Sequence, residues 1–229
     1  MPKSTPTFPD ISQRLLPLLF MIAFPGEAEI LNHIFPFRRM KKLNRITLYR
    51  VTDHPVFLTI IGMDIEKKSD ELENLLGDLH PSLLINYGIC GGLDLSLPLF
   101  QNFLVNRVRT LHQPLFSLSA LAPNLYSILQ SHFPAGSLLT SDSVIKIPEA
   151  RDELFLHTGC QFVDMEGYYL LRIAHRHSVP LIILKQPIDY CNAETMDNFR
   201  QQKARWQKGL KEGLLKLFDI FEQYKLENL

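Results

Sequence analysis

Five short runs in this chain are apolar at nearly every position: Leu18 to Phe24, Val56 to Ile61, Leu83 to Asn86, Phe103 to Val108 and Leu181 to Leu184. A strand with one wet face alternates apolar and polar residues, whereas a short continuous run suits a strand covered on both faces. Weaker runs at Ile46 to Val51 and Leu138 to Leu139 extend the set. Helical patterns fall between them, at Glu27 to Ile34 and at Ser69 to Leu79, where Leu72, Leu75, Leu76 and Leu79 return at three- and four-residue spacing. Others cover Ala122 to Ser131, a segment opened by Pro148 and Glu149 that runs through Leu154 and Phe155, and Glu166 to His177. The last spans Thr195 to about Gln223, with Phe199, Trp206, Leu210, Leu214, Leu217 and Phe221 on one face. Alternating strands and helices specify an α/β domain with a parallel or mixed central sheet.

A chain of 229 residues with 46% hydrophobic content can bury one large core. Residues 1–14 hold Pro2, Pro6 and Pro9 among Ser and Thr and read as a flexible leader, with residues 15–229 as a single domain. The segment from Leu15 to Phe24 has the look of a secretory apolar region, but it is too short to span a bilayer, contains Pro17 and lacks a small-residue cleavage site, so a buried first strand is expected.

The 24 basic and 24 acidic residues cancel, which offers no electrostatic capture of nucleic acid or an anionic membrane and leaves a small molecule as the expected partner. Arg38, Arg39, Lys41, Lys42 and Arg45, beside Phe35 and Phe37, form the one basic run; it reads as a solvated loop, with a phosphate or RNA contact as the alternative. Cys90, Cys160 and Cys191 are odd in number and share no CxxC spacing, which fits a reducing, cytoplasmic setting. His175 and His177 lie two apart, point away from each other on a helix, and belong to no ligand pattern; neither metal nor cofactor is expected.

Three motifs carry the chemistry. The apolar run from Leu83 leads into Asn86-Tyr87-Gly88-Ile89-Cys90-Gly91-Gly92, read as a glycine-rich turn that brings the backbone of Ile89 and Gly91 close to a ligand, or as a tight turn needing positive φ. It is neither GxGxxG nor a Walker loop. In Val163-Asp164-Met165-Glu166-Gly167, Glu166 either favours a helix dipole or accepts hydrogen bonds from a vicinal diol over Met165. In Pro187-Ile188-Asp189, Asp189 is a turn residue or a desolvated carboxyl able to donate a proton near neutral pH. Two further stretches sit nearby: Thr140-Ser141-Asp142-Ser143, where Asp142 caps a turn or forms a pocket wall, and Pro25-Gly26-Glu27-Ala28-Glu29, which offers first-turn helix acids or a base for water.

In this order and spacing the motifs resemble the nucleoside phosphorylase and nucleosidase superfamily, and within it the methylthioadenosine/S-adenosylhomocysteine nucleosidases and futalosine hydrolases. The resemblance implies a three-layer α/β/α sandwich with a mixed, twisted sheet, and a homodimer. It implies that Glu29 activates water, that Glu166 holds the ribose hydroxyls against Met165, that Asp189 protonates the departing purine, and that Val144 and Ile145 touch the base. Where relatives carry a Thr-Gly-Ser-Ala-Gly-Gly pattern this chain has Tyr87 to Gly92; Lys185 replaces an arginine and Ile188 a serine. Fewer hydroxyl and guanidinium donors disfavour a phosphate site, so the expected activity is hydrolysis of the N-ribosidic bond of a 5′-modified purine nucleoside. The Pro-Gly-Glu-Ala-Glu and Met-Glu-Gly sequences are closer to the futalosine or aminodeoxyfutalosine type, which serves menaquinone synthesis. Phosphorolysis and non-catalytic nucleoside binding are the alternatives.

Overall fold

A computed structural model describes residues 17–224 apart from Asp53 and Met63. The leader expected over residues 1–14 lies outside the described residues. Within them, the strands are β1 (Leu18–Ile22), β2 (Phe37–Lys42), β3 (Thr47–Val51), β4 (Val56–Ile60), β5 (Leu83–Gly92), β6 (Phe103–Arg109), β7 (Phe116–Ser117), β8 (Ala135–Thr140), β9 (Phe162–Asp164) and β10 (Leu181–Asp189). The helices are α1 (Pro25–Ile34), α2 (Ser69–Leu79), α3 (Pro123–Gln130), α4 (Pro148–Thr158), α5 (Gly167–Arg176), α6 (Thr195–Gln201) and α7 (Lys203–Tyr224).

The continuously apolar runs form the middle of one mixed sheet. β1 lies parallel between β4 and β5, and β10 runs parallel to β5 on its other side. Every residue of β1 and β10 is buried, as their patterns require. Helix α1 contacts α7, β1 and β5, and α7 reaches β5 and β10; α5 contacts α2 and lies on β5, β6, β8 and β10. These are the two helical layers of the expected sandwich.

One half of the sheet closes on itself. β5 pairs with β10, β10 with β6, β6 with β8, β8 with β9, and β9 antiparallel with the end of β5 at Gly91 and Gly92. The closure brings the Asp164–Glu166 segment beside the ends of β5 and β10.

Two sequence expectations change. The basic run is a loop only at Arg45: Arg38, Arg39, Lys41 and Lys42 lie in β2, which pairs antiparallel with β3 at the edge of the sheet and is exposed at five of its six positions. Lys and Arg on an edge strand keep it solvated and unpaired. The long final helix is two. It breaks at Gln202, and Phe199 of α6 folds back to stack on Trp206 of α7, with centroids 5.7 Å apart and planes 13° from parallel.

Candidate active site

The C-terminal ends of β1, β4, β5, β9 and β10 surround a cleft of about 700 Å³. In α/β sheets this is the edge where strand ends and the following turns expose polar groups to a ligand. Seven of the eight residues singled out from sequence line it: Ile89 and Gly91 from β5, Val144 and Ile145 after β8, Met165 and Glu166 after β9, and Asp189 at the end of β10.

Glu29 does not. Its carboxylate is half exposed on the outer side of α1, paired with Lys203 at 2.9 Å and accepting from Gln207 Nε2 at 2.9 Å. Residues two apart on a helix point in nearly opposite directions, so only one of the two acids at this connection can face inward. That one is Glu27, which is 1% exposed and lines the cleft. Glu27 lies on the buried face with Ile30, Leu31 and Ile34, at spacings of three, four and seven. This helical periodicity was the signal for choosing it over Glu29.

The glycine-rich segment is not a turn. Tyr87 to Gly92 continue β5, and neither Gly88, Gly91 nor Gly92 has positive φ. Close approach explains two of them. A Cβ on Gly88 would fall 2.1 Å from Glu27 Oε1, and one on Gly91 would fall 2.3 Å from Cys191 Sγ. The missing side chain at Gly88 lets the Glu27 carboxylate lie directly on the strand, where Oε1 accepts from the Ile89 N–H at 2.8 Å and Oε2 from the Ala23 N–H at 3.1 Å.

Beneath this carboxylate lies a buried cation that sequence reading left without partners. Lys185, 1% exposed, reaches Asp164 Oδ2 at 2.9 Å and Glu166 Oε2 at 3.3 Å. Burial alone would lower its pKa, but Asp164, Glu166 and Glu27 together hold it above its ordinary value. One ammonium does not neutralise three carboxylates in a desolvated place. Burial pushes Glu27 up to about 8, with Glu166 adding and Lys185 opposing. It pushes Glu166 up to about 7, where Asp164 adds and Lys185 opposes. Asp164 is also a brace: it accepts from Thr140 Oγ1 at 2.9 Å and from the Gly167 N–H at 3.1 and 3.2 Å, fixing the start of α5 next to Glu166.

Asp189 is a turn residue and is also buried, at 4% exposure. Its Oδ1 accepts from the Cys191 N–H at 2.8 Å, an Asx turn, and from Thr195 Oγ1 at 3.2 Å. Burial raises its pKa while these two hydrogen bonds oppose. Asp142 lies outside the cleft lining and accepts from Tyr169 Oη at 2.7 Å. Among the described residues no group of three His, Cys, Asp or Glu side chains is placed to hold a metal ion, and no helix is long and apolar enough to cross a membrane.

A mixed sheet flanked by helices, with a carboxylate-lined cleft at its C-terminal edge, defines the class as an α/β sandwich with a cleft where its strands end. The family model described as the phosphorylase superfamily matches residues 17–217, and the chain belongs to that family. No curated protein sequence matches it. Among solved structures it is similar to a futalosine hydrolase mutant of Helicobacter pylori, at TM-score 0.75 and 13% identity over 88% of this chain and 98% of that one. It is also similar to the MTA/SAH nucleosidase of Streptococcus pneumoniae in complex with 8-aminoadenine, at TM-score 0.76 and 17% identity over 89% and 99%. A 5′-methylthioadenosine/S-adenosylhomocysteine nucleosidase of Helicobacter pylori, complexed with a pyrrolopyrimidine-bearing pyrrolidinol, matches at TM-score 0.75 and 12% identity over 88% and 97%.

Proposed function

We propose that the chain hydrolyses the N-ribosidic bond of a 5′-modified purine nucleoside, of the futalosine or methylthioadenosine type, and releases the free base. The observation that carries this reading is the meeting of Glu27, Glu166 and Asp189 in one cleft. Bond cleavage through an oxocarbenium-like state needs an acid for the leaving group, a base for water and negative charge near the sugar. Asp189, its pKa raised by burial, gives a proton to the base as the C1′–N bond breaks and its electron pair leaves with the purine. Glu166 holds the ribose hydroxyls, with Met165 against the sugar. Glu27, in place of Glu29, takes a proton from the water whose oxygen bonds to C1′. A base with a pKa of about 8 is matched to neutral and mildly alkaline pH, and the rate should rise as pH climbs toward that value.

Water is favoured over phosphate as the nucleophile because Lys185 is held by Asp164 and Glu166, and Ile89 and Cys90 bring no hydroxyl to the end of β5. A homodimer in the cytoplasm accompanies this proposal, and light scattering would give the mass. The test is base release from aminodeoxyfutalosine, futalosine, methylthioadenosine and S-adenosylhomocysteine in phosphate-free buffer. Asp189→Asn should lower kcat by roughly 10² to 10⁴ on whichever is turned over, with the melting curve little changed. Wild-type kcat in that variant would remove Asp189 from the proton donor's role.

A further inference from the structure

The carboxyl at the end of β10 is held by one of its two oxygens. Both hydrogen bonds that Asp189 accepts from the described residues fall on Oδ1, from the Cys191 N–H at 2.8 Å and from Thr195 Oγ1 at 3.2 Å. Two donors aimed at one carboxyl oxygen leave no place for a proton on it. A protonated Asp189 therefore carries its hydrogen on Oδ2, on a side chain that lines the cleft.

The direction of the Thr195 hydroxyl is fixed as well. A hydroxyl has one hydrogen to give, and Thr195 Oγ1 already accepts from the Asn192 N–H at 3.1 Å, so its hydrogen goes to Asp189. The turn between the two residues is tied down on both sides. The Thr195 N–H donates back to the Asn192 carbonyl at 3.1 Å, and Arg151 Nη1 donates to the Tyr190 carbonyl at 3.1 Å. The backbone N–H of residue 191 is there with almost any sequence, whereas the hydroxyl depends on Thr195. Ile188, before the acid, and Gly91, across from it in β5, carry none.

Resting on the nucleosidase reading, we infer that Thr195 is a positioning residue for Asp189: its hydroxyl turns the proton-bearing Oδ2 toward the base and steadies the carboxylate left when the proton has gone. In that step the Oδ2–H bond breaks as a purine nitrogen takes the proton, the electron pair of the C1′–N bond stays with the purine, and the charge left on Asp189 is met at Oδ1 by two donors. These bonds strengthen as the charge grows. The hydroxyl therefore acts on kcat and leaves ground-state binding nearly unchanged. Burial holds the neighbouring thiols of Cys90 and Cys191 above their ordinary pKa, so neither brings a competing negative charge at neutral pH.

The test is a cycle of Thr195→Val, Asp189→Asn and the double variant, with Thr195→Ser as the rescue, on the 5′-modified purine nucleoside that wild type cleaves best. Thr195→Val should lower kcat roughly ten- to a hundredfold, the scale of one hydrogen bond to a charged group, with KM within about twofold of wild type. Thr195→Ser should restore most of the loss. Added to Asp189→Asn, Thr195→Val should cost less than about twofold, because the group it acts through is already disabled. Wild-type kcat in Thr195→Val, an equal loss with and without Asp189→Asn, or no rescue by serine overturns the role of Thr195 and leaves the nucleosidase reading standing. Should the valine variant not fold, Thr195→Ala enters the same cycle and is read the same way. Wild type that frees no base from any of these nucleosides overturns hydrolysis and the role of Thr195 together.

Discussion

Gly88 and Glu27 form a matched pair of residues, since any side chain at position 88 would occupy the place of the Glu27 carboxylate. The obstructing atoms are the end of a flexible side chain, so Gly88→Ala can be accommodated by swinging Glu27 away, at a modest cost of about 1–3 kcal/mol in folding. Activity should suffer far more. A displaced general base lowers kcat by roughly 10²-fold or more, and a melting curve beside a steady-state assay separates the two effects. Unchanged kcat in that variant would show that the position of Glu27 does not matter to turnover. At this scale the sequence was informative where a residue ends or closely follows a strand: Asp189 and Glu166 were marked by the apolar stretches before them. It was ambiguous where two acids lie two residues apart near the start of a helix, and the order of the motif favoured Glu29 although helical periodicity groups Glu27 with Ile30, Leu31 and Ile34. Contacts across the fold, such as Lys185 with Asp164 and Glu166, leave no local trace in sequence at all.

Among the elements, β10 does the most for the site, because it delivers Lys185 to the buried cluster and ends on Asp189. Lys185→Met would leave Asp164 and Glu166 buried without their cation, and losing one partner of a buried pair costs ~3–5 kcal/mol. For a domain of this size that corresponds to a fall in Tm of about 10 °C at neutral pH. The fall should shrink at pH 5, where Glu166, its pKa raised by burial, takes up a proton, and differential scanning calorimetry at the two pH values reads the difference. An unchanged Tm at both would mean that the cation contributes nothing net to the fold. Short elements escaped the sequence reading for physical reasons. β2 is an exposed edge strand whose Arg and Lys residues imitate a solvated loop, and β9 is three residues held by pairing with β5 and β8. Likewise Phe199 and Trp206 continue one apolar stripe, and only their stacking reveals the break at Gln202.

For the molecule as a whole, the alternation of apolar runs and amphipathic helices was enough to specify the α/β layers. The closing of β5, β10, β6, β8 and β9 on one another was not legible, because it depends on pairings between strands far apart in the chain. Closure leaves the carboxylates of Glu27 and Glu166 desolvated, and this links stability to pH. Both have folded pKa values above the unfolded value of 4.5, at about 8 and about 7. Between those limits the folded state binds more protons than the unfolded one, so stability falls as pH rises through that window. Lys185, also raised, changes stability only above its unfolded value of 10.5 and does not offset the fall. Tm should therefore decline from pH 5 to pH 8, and Glu27→Gln should flatten the decline while abolishing turnover. A Tm that rises over this range in wild type would contradict the buried, partly protonated cluster.

Hydrolysis at this carboxylate cluster is tested most directly by following base release from a 5′-modified purine nucleoside in phosphate-free H₂¹⁸O, with wild type and Glu27→Gln side by side. The expected result is free purine together with ribose labelled at C1 in wild type, no stimulation by added phosphate, and loss of turnover in Glu27→Gln. Unlabelled sugar phosphate formed only when phosphate is added, or undiminished turnover in Glu27→Gln, would contradict it.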